Sequence, residues 1–92
     1  MDNKLHYKFI KSKFVRPRKQ VDGYALFHTE NARFFVTNDI GYQVWNECDG
    51  TKTVEEIIIN IVNSFNEKPE YTQVETDVLE ILADFQKYEL VS

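Results

Sequence analysis

Residues 33–50 read RFFVTNDIGYQVWNECDG, and the order of residue types in this stretch decides the architecture. Arg33 to Thr37 is a short run of aromatic and β-branched residues of the kind that forms strands. Asn38 follows at once, and its side-chain oxygen is suited to accept a free amide of a first helical turn. Asp39 then stands where the positive helix end favours a carboxylate. Ile40, Val44, Trp45 and Cys48 recur at helical spacing and form one apolar face. Asp49-Gly50 reads as the stop, with Gly50 free to take a left-handed backbone.

Downstream of this stretch the pattern is helical throughout. Thr53-Val54-Glu55-Glu56 is a capping box, a threonine followed three residues later by a glutamate. Behind it, Val54, Ile57, Ile58, Ile61, Val62 and Phe65 form a complete helical stripe. Pro69 lies in the next connection. Thr72-Gln73-Val74-Glu75 reads as a second capping box, opening a helix whose stripe is Val74, Val78, Ile81, Leu82 and Phe85, widened by Leu79. Leu90-Val91 offers apolar side chains that can return to the core.

Upstream the pattern is extended. Glu30-Asn31-Ala32 has the length of an antiparallel turn, Tyr24 to Thr29 reads as a strand, and Val21-Asp22-Gly23 as a turn. Lys13 to Arg16 reads as a further short strand ended by Pro17. Residues 1–12 show no period and are expected to form a frayed basic arm, leaving residues 13–92 as the domain. The order strand-strand-strand-helix-helix-helix predicts an α+β fold. Each helix has one apolar face, so all three must pack together and against one side of a three-stranded antiparallel sheet. That is a winged helix-turn-helix-like layout with the sheet placed first.

Ninety-two residues make one domain with a modest core. The sequence has no apolar run long enough to cross a bilayer, and the start lacks the pattern of a signal peptide, so the expected location is the cytosol. The net charge of −4 is unevenly distributed. Residues 1–20 carry seven basic groups and one acid, whereas residues 21–92 carry four basic groups and fourteen acids. The chain reads as a basic arm on an acidic body. The arm is either a solvated tail or a patch for an acidic partner.

Little in the sequence can carry catalysis. His6 and His28 are far apart and have no companion ligand at helical spacing, so no metal site is expected, and His28 reads as a half-exposed strand residue. Cys48 lies on an apolar helix face between two acids, the setting of a core cysteine and not of a nucleophile. The three glycines are scattered, and no phosphate-binding loop is present. A winged-helix DNA reader needs cations on the helix that enters the groove. The third helix instead carries Glu75, Asp77, Glu80 and Asp84 before its only lysine, Lys87. Nucleic acid is therefore not an expected partner, although a weak DNA binder stays open as an alternative. These acids read either as a solvated helix face or, for Asp77 and Asp84, as the border of a binding groove.

The strand itself is more informative. Phe34, Phe35 and Val36 are consecutive, so both faces are apolar, whereas a strand with one solvated face alternates. One face can cover the helices and the other needs a further cover: the arm, a second subunit or a ligand. If this strand ends the meander, it is an edge, and an extended peptide can add to it through backbone hydrogen bonds. The same edge would serve a homodimer.

The sequence resembles the PqqD-like domains, also called precursor-peptide recognition elements. The resemblance spans roughly Phe14 to Val91 and rests on RFFVTNDIGYQVWNECDG at 33–50, TVEEI at 53–57 and DVLEILADFQKYELV at 77–91. It departs from the family pattern at Thr37, where Leu is usual before the asparagine, and at Glu89, where glycine is usual. The resemblance implies a protein without catalytic activity or cofactor. Such a protein holds the leader segment of a ribosomally made peptide and presents it to a modifying enzyme. That partner would be a radical S-adenosylmethionine enzyme, or a leader peptidase and cyclase as in lasso-peptide synthesis. It further implies that the leader adds beside Arg33, Phe34, Phe35, Val36 and Thr37, and lies against Val74, Asp77, Val78, Ile81 and Phe85.

Overall fold

The computed structural model describes residues 4–92. A three-stranded antiparallel sheet in the order β1-β2-β3 is built from Val15–Gln20, Gly23–His28 and Arg33–Thr37. Three helices follow, α1 (Asp39–Glu47), α2 (Val54–Asn63) and α3 (Tyr71–Lys87). The α+β, winged-helix-like order expected from the sequence is the order observed.

The local signals explain why the elements begin where they do. The Asn38 side chain accepts the Gly41 N–H at 2.8 Å and caps α1. Thr53 and Glu56 form the reciprocal capping box of α2: the Thr53 N–H donates to Glu56 Oε1 at 2.8 Å, and the Glu56 N–H donates to Thr53 Oγ1 at 3.2 Å. These bonds hold the Glu56 carboxyl below the usual glutamate range, the Thr53 backbone N–H contributing most. The core gathers between the helices and the inner face of the sheet. Leu26 of β2, Val44 and Trp45 of α1, Val54, Ile57, Ile58 and Ile61 of α2, and Val74, Val78, Leu82 and Phe85 of α3 are all buried. Burying a side chain of this size is worth roughly 1.5–3 kcal/mol. Leu90 and Val91 return to the same core, and the Leu90 carbonyl accepts the Trp45 Nε1–H at 3.0 Å.

Four expectations are corrected. Pro17 does not end a strand over 13–16; it lies inside β1 and pairs with Leu26 in the register. The Thr29 N–H donates to the Phe14 carbonyl at 2.9 Å. Antiparallel pairs alternate, so Arg16 with Phe27, Arg18 with Ala25 and Gln20 with Gly23 are the hydrogen-bonded pairs of β1 and β2. Pro17 falls between them, with its missing N–H directed away from the sheet, and costs no ladder bond. Thr72 does not cap α3. The chain is still extended at Glu70, which is the N-cap and makes no side-chain capping bond. Thr72 lies one residue inside the helix, where its carbonyl accepts Thr76 Oγ1. His28 is buried, not half-exposed, because its Nδ1 accepts the backbone N–H groups of Glu30 and Asn31 and so closes the β2–β3 turn.

The fourth correction concerns the arm. Met1 to Asn3 lie outside the described residues, but the rest is docked. Phe9 is buried, the Ile10 N–H and carbonyl bond Ser92, the Lys11 N–H bonds the Cys48 carbonyl, and the Ser12 N–H bonds the Leu90 carbonyl. Apolar Phe9 and these backbone bonds offset the ordering cost that composition alone assigned to a tail. Lys11 Nζ lies over the Trp45 ring at 5.2 Å, so part of the basic charge rests on the body by cation–π contact.

Candidate functional site

The sheet has two edges, and they are not equivalent. The β1 edge carries Pro17, which removes one outward donor. The β3 edge carries no proline. The β1–β2 alternation places the backbone groups of Ala25 and Phe27 toward β1, and hence those of Tyr24, Leu26 and His28 toward β3. Arg33, Phe35 and Thr37 therefore face β2, and the N–H and C=O groups of Phe34 and Val36 point outward. Among the described residues, no backbone group from outside the sheet bonds them. Their side chains are 63% and 53% exposed. Phe35 instead turns inward, its ring 5.8 Å from that of Phe85 and 5.2 Å from that of Tyr88.

Phe35 spans an opening. No Cα of β3 comes within 8 Å of a Cα of α3, so the two backbones stand apart and only side chains bridge them. At the Asn38 end lies a groove of about 290 Å³ lined by Asn38, Ile40, Asp77, Glu80, Ile81 and Asp84. Ile40 and Ile81 are half-buried and supply its apolar surface, while the three acids are exposed along α3. At the other end, Arg33 Cζ lies 5.2 Å from the Tyr88 ring centroid. A larger open groove of about 770 Å³ lies elsewhere, between residues 10–14, the β2–β3 turn and the chain end. The N–H groups of Ile10, Lys11 and Ser12 along it are already bonded, so it offers no free strand edge.

The residues expected at the site divide into two sets. Arg33 to Thr37 form the strand, and Asp77 and Ile81 line the groove. Val74, Val78 and Phe85 do not line it: they are buried in the core on the inner part of the α3 stripe, where the Phe85 ring meets that of Phe35. Asp84 lines it with Asp77, as the groove-border alternative for these two acids had it, whereas Asn38, Ile40 and Glu80 belong to the groove and were not expected there. Asp84 had a signal, since it follows Asp77 by two helical turns on the same face.

Cys48 is fully buried and its Sγ–H donates to the Val44 carbonyl at 3.3 Å. Burial pushes its thiol up to about 12, far from thiolate reactivity. Among the described residues no group of three or more His, Cys, Asp or Glu could hold a metal ion. No described helix is long and apolar enough to cross a membrane.

The family model for coenzyme PQQ synthesis protein D (PqqD) matches residues 23–91. The chain belongs to the PqqD family. No curated protein sequence matches it. Two solved structures share the fold of this PqqD-family chain, each with a TM-score of 0.74. One is TbiB1 in complex with the TbiA(beta) leader peptide, at 23% identity over 90% of this chain and 94% of that one. The other is a lasso peptide synthetase B1 complexed with the leader peptide, at 12% identity over 94% of this chain and 99% of that one. The matched segment begins at β2 and ends at the returning chain end, so it contains β3, α3 and the opening between them.

Proposed function

We propose that this protein is a non-catalytic recognition domain that binds the leader segment of a ribosomally made precursor peptide and presents it, in the cytosol, to a modifying enzyme. The leader adds to β3 as a fourth strand, bonding the backbone groups of Phe34 and Val36. It covers the opening toward α3, where Ile40, Asp77, Glu80, Ile81 and Asp84 meet its side chains. The observation that carries this reading is the unpaired β3 edge beside a groove, in a chain whose family and fold neighbours include two leader-peptide complexes. Backbone pairing supplies affinity and the groove supplies selectivity. The likeness to a lasso peptide synthetase B1 favours a leader peptidase and cyclase over a radical enzyme as the partner.

Light scattering of the purified protein, alone and with the leader half of a precursor encoded beside it, tests the reading. A 10.9 kDa monomer that takes up one peptide supports it. A stable dimer that excludes the peptide assigns the β3 edge to self-association and overturns it.

A further inference from the structure

The groove beside β3 has a charge that the strand edge alone does not require. Asp77, Glu80 and Asp84 stand on one side of α3, and all three line the groove. Asp77 accepts a hydrogen bond from Gln73 Nε2 at 3.1 Å, a neutral donor. Among the described residues the only ion pair is Lys52–Asp49, so none of the three groove acids is neutralised by a cation. Arg33 and Lys87 lie against the Tyr88 ring, and neither lines the groove. The basic groups at Lys11 and Lys13 line the other groove. Three carboxylates on one face give the groove a negative potential, and a guest that brings positive charge complements it.

We infer that the segment bound beside β3 is a strand-forming peptide carrying Lys or Arg on the side turned toward α3. This rests on the docking proposed above and specifies its guest. Side chains on one face of a strand recur every two residues, about 6.6–6.8 Å apart. Asp77 and Asp84, two turns apart, span about 10.5 Å of helix. One or two basic residues at alternate positions therefore suffice to face all three acids. Between them, apolar side chains of the guest meet Ile40 and Ile81. An acidic segment in the same register is disfavoured, so the groove selects between leaders by charge.

The test is a selection from a display library of random peptides about 12 residues long, roughly twice the length of β3. The wild-type protein and a triple variant, Asp77→Asn, Glu80→Gln and Asp84→Asn, are run in parallel. The replaced residues are exposed and keep their shape, and circular dichroism checks the fold. Wild type is expected to enrich β-forming peptides with Lys or Arg at alternate positions, and the triple variant to lose that bias and bind the winners about 3- to 10-fold more weakly. Raising salt on wild type is expected to weaken the winners by a similar factor. Winners that are neutral or acidic, or that bind both proteins equally, overturn the charge inference while leaving strand docking intact, provided Val36→Pro blocks them. A selection that yields no winner sensitive to Val36→Pro overturns the docking reading and this inference with it.

Discussion

Val36→Pro separates docking from folding. The Val36 N–H points away from β2, as does the ring nitrogen of Pro17 in β1, so the substitution removes no ladder bond. Phe35 precedes it and is already extended, as a residue before proline must be. The variant is therefore expected to keep its circular dichroism spectrum and most of its melting temperature. Binding is another matter. One edge hydrogen bond is worth about 0.5–1.5 kcal/mol net, and the ring occupies the space where the guest carbonyl approaches. Together the loss is about 1.5–3 kcal/mol, or roughly 10- to 100-fold in Kd. Titration calorimetry with a peptide selected on wild type reads this directly. Thr37→Pro is the control: its N–H faces β2, so that variant is expected to lose stability first. Unchanged affinity in a folded Val36→Pro protein would refute docking at this edge.

Three further outcomes follow from the same structure. Ile81→Asp places a fourth charge on the apolar part of the groove and is expected to weaken an apolar-containing guest by about tenfold with the fold retained, because Ile81 is only half-buried; unfolding in thermal melts would assign it to the core. Glu89 holds a left-handed backbone at φ 60° where the family usually has glycine, so Glu89→Gly is expected to raise stability by about 0.5–1 kcal/mol in urea melts; a loss would show that the Glu89 side chain contributes more than the backbone strain costs. The lowered Glu56 carboxyl contributes stability that is fully present above its ordinary value of 4.5 and is lost as pH falls through the lower folded value. Glu56→Gln is expected to be less stable at neutral pH and to show a shallower loss below about pH 4.5, and parallel acid melts of the two proteins would contradict the capping role.

The elements legible in the sequence were those fixed by local chemistry. Asn38 and the Thr53–Glu56 pair cap helices by bonds that span three residues, and Arg33 to Thr37 lies between a turn and a cap, so their bounds follow from spacing. What was not legible depended on direction in space. Whether Pro17 breaks a strand turns on which way residue 17 faces, and that is set by pairing with Leu26. His28 is buried because two turn amides find its Nδ1, a bond that composition does not announce. The same limit governed the site. The wide α3 stripe identified an apolar side, but only packing divides Val78 and Phe85, which go inward, from Ile81, which stands at the groove. Ile40 was assigned to the α1 core face and lies at the groove because α1 starts right at the end of β3.

Amide hydrogen exchange, followed residue by residue with and without a bound peptide, tests the open edge most directly. An open β3 edge requires that Phe34 and Val36 exchange fast in the free protein, that Phe35 is protected by β2, and that both outer amides become slow when peptide is added. Outer amides that are already protected without a guest, or that stay fast at saturation, would contradict it.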